Sequence, residues 1–316
     1  MSAKRVLVSG GSGFIPSHLV RRLLGDGYEV AVTLRYGNPI KNERLKDIWD
    51  DILPLEADLR NRGALGLALT EFKPEIVFHL AAYNHVGQSF VQVEECFDVN
   101  AKGTANILDC SEIAGVRKFV YMSTSEVYGE QLSVPFIESM NPQPISPYAI
   151  TKYSGEMYCR MKQLMENGID IAILRPFNVY GPYQSSKAVI PELIIKCLRG
   201  ETVRTTKGKQ TREFNYVDDV VEGLILAGES NERIEGPINI AAAEEVSICD
   251  LVHKVAQLTN TSSSIEVGAL PYRPTEIWRM YADNARAKGI LNWLPKISLS
   301  EGLSKTIDWF RRYLCL

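Results

Sequence analysis

Residues 6–16, VLVSGGSGFIP, decide the fold of this chain of 316 residues. The first three residues indicate a buried strand, and the apolar spacing from Phe14 to Leu24 indicates a helix. The glycines between them allow a tight turn and a close approach of the backbone to a ligand. A strand, a glycine-rich turn and a helix in this order are typical of a site that binds the pyrophosphate of a dinucleotide. The residues expected to contact this cofactor are Gly10, Gly13, Phe14 and Ile15.

Strand-like and helix-like segments alternate beyond this turn. The predicted strands are residues 6–8, 30–32, 52–55, 76–80, 119–122 and 171–174, and the long predicted helices are residues 93–114 and 148–166. This alternation predicts an α/β fold with a doubly wound parallel sheet, the Rossmann arrangement, over residues 1–182. Shorter segments then predict a smaller, interleaved C-terminal lobe that binds substrate over residues 183–316. Within that part, the apolar helix of residues 217–228 is expected to pack back onto the first domain.

The composition excludes several classes of protein. Lys and Arg number 35 and Asp and Glu 38, a balance that does not indicate a nucleic-acid or membrane partner. No apolar run approaches the roughly 20 residues that span a bilayer, and we expect no signal peptide before the first strand. The six cysteines are scattered without a CxxC pair, and only four histidines occur. We therefore expect reduced thiols, a cytoplasmic location and no metal site.

The end of the second predicted strand bears on the type of dinucleotide. An NAD site usually places Asp or Glu there to bond the ribose hydroxyls, whereas this chain has Arg35, which suits a 2′-phosphate. The sequence therefore favours NADP over NAD, unless Arg35 is simply solvated. Asp58 and Leu59, after the third strand, are expected beside the adenine, although a plain loop aspartate is the alternative. Pro16 stands where the Gly-x-x-Gly-x-x-Gly spacing predicts a third glycine, so the helix must contact the strand differently.

Tyr148 and Lys152 lie one turn apart on a predicted helix. A cation beside a phenol favours the phenolate and lowers its pKa, so the pair suits the removal of a proton from a substrate hydroxyl. Thr124 supplies a hydroxyl for the same proton path. Glu126 supplies a second base, unless its carboxylate caps a nearby turn.

These motifs, together with the segments of residues 80–82, 175–182 and 216–220, resemble the extended short-chain dehydrogenase/reductase family, specifically its nucleotide-sugar enzymes. The resemblance covers nearly the whole chain. It implies a tightly bound, recycled NAD(P), a nucleotide-diphosphate sugar as substrate, and a homodimer formed by a four-helix bundle. The two long helices would form that bundle, because they carry apolar residues beyond one core face. The resemblance also implies cofactor contacts at Leu80, Ala81, Ala82, Asn100, Tyr148 and Lys152.

Two segments are more similar to the 4,6-dehydratases than to the 4-epimerases of this family. They are Thr124-Ser125-Glu126 and residues 82–89, AYNHVGQS. Residues 42–45 are somewhat similar to GDP-mannose 4,6-dehydratases, and residues 182–191 to dehydratases of UDP-N-acetylhexosamines, so the nucleotide stays open. Some dehydratases have an aspartic acid at the position of Ser125, and that acid protonates the leaving hydroxyl. Serine at this position is a difference from those enzymes. The resemblance implies a catalytic set of Thr124, Ser125, Glu126, Tyr148 and Lys152.

The same resemblance implies where the sugar nucleotide binds. Guanidinium groups bind phosphate in a bidentate way. Arg212 and Arg273 match family positions that bind the pyrophosphate of the substrate, although each could instead form a salt bridge between the lobes. The full set of expected substrate contacts is His85, Ser89, Asn178, Lys187, Val189, Arg212 and Arg273. The leading hypothesis is a 4,6-dehydratase. A 4-epimerase, a 4-keto reductase and a catalytically silent nucleotide-binding protein are the alternatives.

Overall fold

A parallel sheet forms the centre of the structure, a computed structural model that describes residues 4–35, 43–165, 168–272 and 276–316. The strands in chain order are β1 (Arg5–Ser9), β2 (Glu29–Leu34), β3 (Leu53–Glu56), β4 (Ile76–His79), β5 (Lys118–Met122), β6 (Asp170–Pro176), β7 (Val179–Tyr180), β8 (Val203–Thr205), β9 (Thr211–Arg212), β10 (Asn215–Tyr216), β11 (Pro237–Ile240), β12 (Val246–Ser247), β13 (Ile265–Val267) and β14 (Arg279–Met280). The central sheet has seven strands in the order β3-β2-β1-β4-β5-β6-β11. Every neighbouring pair in it is parallel. The prediction of a doubly wound parallel sheet is confirmed.

The helices cover both faces of this sheet. In chain order they are α1 (Phe14–Gly25), α2 (Arg62–Phe72), α3 (Val86–Ser89), α4 (Val93–Cys96), α5 (Gly103–Ile113), α6 (Pro147–Gln163), α7 (Val189–Arg199), α8 (Val217–Glu229), α9 (Ile248–Thr259), α10 (Ala285–Leu291) and α11 (Leu299–Leu314). The helix predicted over residues 93–114 is interrupted, because a π-helical segment, Phe97–Lys102, joins α4 to α5. Such π segments are frequent at functional sites. The sequence pattern did not indicate it.

Alternating side chains of the strands create two apolar cores. On β1, Val6 and Val8 face one core and Leu7 faces the other, as the two-residue period of a strand requires. α8 packs against α1, β4, β5 and β6, and its residue Leu224 lies in the same core as Val6. The strands therefore read as nearly continuous apolar runs, since both faces are covered.

The C-terminal part adds three small sheets, in the orders β10-β7, β12-β9-β14 and β13-β8. Helices α7, α9 and α11 pack on one another, and their apolar residues continue the core that begins under β1. The division of the chain at residue 182 into two lobes stays a prediction.

The described cysteines are all free thiols. None of the helices within the described ranges combines the length and the apolar character that crossing a bilayer requires. The cytoplasmic location stays a prediction.

Candidate active site

A large cavity of about 1410 Å³ opens along the carboxyl ends of β1, β2, β4 and β5. The strand order reverses between β1 and β4, and in open α/β sheets this switch point is where ligands bind. The cavity runs from the glycine turn after β1, past the residues that follow β4, to the start of α6. Arg212 and Lys187 of the C-terminal part complete its wall.

The glycine turn is shaped to accept a phosphate group. Gly10 has φ +70°, and a Cβ there would lie 2.9 Å from Cα of Ala81. Gly13 caps α1 with an extended backbone and without a side-chain hydrogen bond to the first turn. The N–H groups of that turn therefore have no side-chain cap to compete with a phosphate. Phe14 and Ile15 line the cavity beside the turn, so these residues fit a dinucleotide pyrophosphate.

Pro16 occupies the position of the missing third glycine without disturbing the turn. It is buried, and a Cβ added at Gly13 would lie 3.1 Å from its Cγ. The ring thus packs over the turn, and its missing N–H falls in the first helical turn, where no intrahelical partner is required.

Four charged side chains meet at the end of the cavity that the sequence assigns to the adenosine. Arg35 is exposed and lies 3.7 Å from the carboxylate of Glu95, which also lies 3.3 Å from Arg60. Arg60 in turn donates hydrogen bonds of 2.7 to 2.9 Å to both oxygens of Asp58. These bonds lower the pKa of the Asp58 carboxyl. Leu59 lines the cavity next to Asp58.

The residues after β4 are held by buried polar groups. The Ser9 hydroxyl accepts hydrogen bonds of 3.0 Å from the N–H groups of Leu80 and Ala81 and contacts Nδ1 of His79 at 2.8 Å. Burial holds the pKa of His79 well below its usual value, so this ring is neutral. Leu80, Ala81 and Ala82 line the cavity as predicted. The sequence did not indicate a role for Ser9 or His79, because each is a single polar residue at the end of an apolar strand.

Asn100, which was expected to contact the cofactor, is buried behind the cavity wall and does not line the cavity. It lies in the π-helical segment and is 1 % exposed. Its Oδ1 accepts from the N–H of Tyr83 at 2.7 Å, and its Nδ2 donates to the Tyr83 carbonyl at 3.0 Å and to Thr151 at 3.1 Å. It thus ties the cavity wall at Tyr83 to α6.

Tyr148 and Lys152 line the cavity together with Glu126. The Tyr148 side chain hydrogen-bonds to Thr124, and the Thr124 hydroxyl accepts from the N–H of Glu126 at 3.2 Å. Nζ of Lys152 donates to the Met122 carbonyl at 2.6 Å. The structure therefore brings together the phenol, the hydroxyl, the ammonium and the second carboxylate that the sequence proposed.

The expectation that Lys152 lowers the pKa of Tyr148 is wrong for this geometry. Burial raises the pKa of Tyr148 to about 12, and the negative charge of Glu126 adds to the shift while the bond to Thr124 opposes it. Burial also lowers the pKa of Lys152 to about 8, against the opposing effect of Glu156. The ammonium is directed at a backbone carbonyl, so the protein's own groups favour the neutral phenol.

Ser125 does not line the cavity, contrary to its place in the predicted catalytic set. It is buried, and its hydroxyl donates to Sδ of Met280 at 3.8 Å. Within the short 3₁₀ turn Ser125–Tyr128, Ser125, Val127 and Tyr128 are buried, whereas Glu126 lines the cavity. Ser125 therefore contributes to the packing beneath the site.

The predicted substrate residues divide into two groups. His85, Lys187 and Arg212 line the cavity. The Ser89 hydroxyl instead accepts from the N–H of Tyr148 at 3.2 Å and thereby supports the start of α6. Asn178 donates to the Glu213 carbonyl at 3.0 Å, and Val189 begins α7 outside the lining. Arg273 lies outside the described residues.

Arg212 is already held by protein groups. Its Nη2 forms an ion pair of 2.7 Å with Glu276, and its Nη1 donates to the carbonyls of Thr211 and Ile277. Glu276 lines the same cavity. These bonds fix the guanidinium at the cavity wall, and sequence analysis missed the carboxylate that provides one of them.

Comparison with known proteins agrees with this geometry. Residues 6–241 match the NAD dependent epimerase/dehydratase family. The chain belongs to that family. Its members modify nucleotide sugars, and the predicted resemblance to the extended short-chain dehydrogenase/reductases is confirmed.

Relatives that catalyse different reactions have the same sequence identity to this chain. The chain is 35% identical to dTDP-D-glucose 4,6-dehydratase of Homo sapiens over 98% of this chain and 90% of that protein. It is also 35% identical to UDP-glucose 4-epimerase of Mycolicibacterium smegmatis over 97% of this chain and 98% of that one. The crystal structure of DesIV, a dTDP-glucose 4,6-dehydratase from Streptomyces venezuelae with NAD bound, has a TM-score of 0.88 and 30% identity over 98% of this chain and 97% of that chain. Identity alone therefore does not select the reaction.

Proposed function

We propose that this chain is a nucleotide-sugar 4,6-dehydratase, which converts an NDP-hexose into an NDP-4-keto-6-deoxyhexose. The observation that carries the proposal is the place of Glu126. Its carboxylate lines the same cavity as Tyr148 and raises the pKa of that phenol by its charge. Two proton acceptors beside one cavity suit a reaction that removes protons from two positions of the sugar.

The protein groups act in a fixed order in this proposal. Tyr148 removes the proton of the C4 hydroxyl as its phenolate, the form that the positive charge of a bound oxidised dinucleotide would favour over the neutral phenol, and Thr124 lies on its proton path. The dinucleotide, when bound, would supply a positive charge and a reversible acceptor for the hydride that moves from C4 to C6 of the sugar. The C4 ketone acidifies the C5 hydrogen, which Glu126 removes. The C6 hydroxyl then leaves as water with the proton that Glu126 has gained, since Ser125 faces Met280. When hydride reaches C6, C5 regains a proton from water, and Tyr148 releases to water the proton that it took from the C4 hydroxyl.

The cofactor of this reaction is an oxidised nicotinamide dinucleotide held by the turn at Gly10 and Gly13. Lys152 would hold the nicotinamide ribose. The sequence favoured NADP because of Arg35, whereas the carboxylates of Glu95 and Asp58 near that arginine favour NAD. The DesIV structure, which has NAD bound, supports the second choice.

The sugar nucleotide would bind at the opposite end of the cavity from Arg35. Arg212 and Lys187 supply positive charge for the diphosphate. Glu276 and two carbonyls hold the guanidinium of Arg212 in one orientation. His85, whose Nδ1 accepts from the N–H of Gln88 at 3.1 Å, is fixed at the cavity wall and would contact the sugar.

Replacement of Glu126 by glutamine tests the assignment directly. We expect water elimination to fall by roughly 10²–10⁴-fold, because the base for C5 is lost, while oxidation at C4 continues. Rapid mixing with substrate should then show accumulation of reduced nicotinamide by its absorbance. Glu130→Gln is the matched control, since Glu130 is exposed just after the same turn and outside the lining. Unchanged elimination in Glu126→Gln would contradict the role of this carboxylate.

A 4-epimerase is the second candidate, because a relative of that class is as similar as the dehydratase. It would use Tyr148 and Lys152 in the same way and would need Glu126 only to orient the sugar. A 4-keto reductase would consume NADPH stoichiometrically. A silent nucleotide-binding protein would have no use for the hydrogen bond between Tyr148 and Thr124.

We also propose a homodimer formed by the two long helical segments. The helix α4 and the π-helical segment that follows it pack against α6, and these elements carry large apolar side chains that are exposed in the single chain. These side chains are Val93, Phe97, Ile150, Met157 and Met161. They recur at spacings of four and seven residues, which places them along one face of each helix. Exposed apolar side chains that repeat along one face of neighbouring helices are typical of an interface.

Replacement of Met157 and Met161 together by glutamate should convert the dimer into a monomer, because two carboxylates in each copy would be buried without partners. Sedimentation equilibrium measures the mass directly. Leu67→Glu is the control, since Leu67 is 66 % exposed on α2 and outside this face. A monomeric unmodified protein, or a dimer that persists in the double variant, would refute this arrangement.

A further inference from the structure

Glu95 places a carboxylate where the end of β2 has none. In the described structure Arg35 ends the segment after β2, and the acid that meets it comes from α4, sixty residues later. Glu95 lines the cavity together with Arg35 and Asp58. It contacts Arg35 with one oxygen and Arg60 with the other. The two cations are therefore balanced by two anions, Glu95 and Asp58.

This balance bears on the chemistry of the ligand's ribose. A ribose hydroxyl can donate a hydrogen bond to a carboxylate. A 2′-phosphate carries about two negative charges, so a carboxylate repels it. The pair between Glu95 and Arg35 is long at 3.7 Å and Arg35 is mostly exposed. Its carboxylate therefore remains accessible from the cavity, whereas Asp58 is engaged by Arg60 at both oxygens.

We propose that Glu95 is a specificity-determining residue that favours NAD over NADP. The proposal rests on the dinucleotide site of the proposed function and concerns only the 2′ position. Glu95 neutralises Arg35 and Arg60, which would otherwise attract a 2′-phosphate, and it repels that phosphate. The α4 carboxylate thus takes the role that an acid at the end of β2 has in other NAD sites.

Competition between the two dinucleotides tests this role without an activity assay. The purified protein is incubated with an excess of equimolar NAD⁺ and NADP⁺, free nucleotide is removed by gel filtration, and the retained nucleotides are quantified by mass spectrometry. The unmodified protein should retain mainly NAD⁺. Glu95→Gln should raise the ratio of NADP⁺ to NAD⁺ by about tenfold, the size expected for loss of one partly exposed charge near a phosphate. Adding Arg35→Gln to that variant should remove most of the gain.

Glu94→Gln is the matched control. Glu94 is exposed on the same helix, and its removal changes the net charge equally, but it does not line the cavity. An equal change in Glu94→Gln and Glu95→Gln would overturn the proposal, as would an unchanged ratio in Glu95→Gln or a preference of the unmodified protein for NADP⁺. Retention of neither nucleotide would overturn both this proposal and the dinucleotide site. A dehydratase assay that fails while the ratios behave as expected would contradict only the proposed reaction.

Discussion

Replacement of Tyr148 by phenylalanine should reduce turnover by roughly 10²–10⁴-fold or more, while the dinucleotide stays bound. The phenol is the group that reaches both the cavity and Thr124, and the variant removes only its oxygen. Steady-state turnover on a sugar nucleotide and gel-filtration retention of the dinucleotide measure the two effects separately.

Tyr153→Phe is the control for this experiment. Tyr153 lies on the same helix, α6, packs against an apolar cluster and does not itself line the cavity. Its replacement should leave turnover within about twofold, since surface-proximal changes of this kind are usually small. Comparable turnover of Tyr148→Phe and the unmodified protein would mean that the catalytic assignment is wrong.

Replacement of Arg175 by methionine should lower the free energy of unfolding by about 3–5 kcal/mol. Arg175 and Glu156 form a two-point ion pair, with Nε to Oε1 at 2.9 Å and Nη2 to Oε2 at 2.6 Å. The two side chains are 3 % and 1 % exposed. The variant would leave the Glu156 carboxylate buried with only the hydroxyl of Ser123 as a described hydrogen-bond partner. Urea unfolding followed by circular dichroism measures the change.

An exposed ion pair provides the comparison. Glu192 and Lys196 are paired at positions i and i+4 on α7, and both are accessible to water. Glu192→Gln should change the free energy of unfolding by no more than about 0.5 kcal/mol. A similarly small change in Arg175→Met would show that the pair beneath the active site contributes little to stability.

The fold was predictable because its determinants are local. The glycine turn and the alternation of apolar strands with helices depend on residues close in sequence, and they indicated the doubly wound sheet. The π-helical segment was not predictable, since Asn100 adopts its place through hydrogen bonds to Tyr83 and Thr151. No local spacing in the sequence records those contacts.

The sequence motifs predicted which residues meet in the site, but they did not predict the pKa values of those residues. Thr124, Tyr148 and Lys152 came together as expected, yet the pKa of Tyr148 is raised, because burial outweighs the opposing hydrogen bond with Thr124. Glu213 shows the same limit: it is fully buried and accepts from the N–H groups of Ala242 and Ala282 at 2.6 and 2.7 Å. Burial raises its pKa to about 7. Desolvation and long-range pairing exist only in the folded chain.

The most direct test of the central claim uses sugar nucleotides that carry deuterium at C4. The purified protein, with NAD⁺ supplied, is incubated with UDP-, GDP- and dTDP-hexoses labelled in this way, and the products are analysed by mass spectrometry and NMR. The account predicts a product lighter by one water, with the deuterium transferred to C6. An isomer of unchanged mass that keeps its deuterium at C4 would contradict the dehydratase and establish the epimerase.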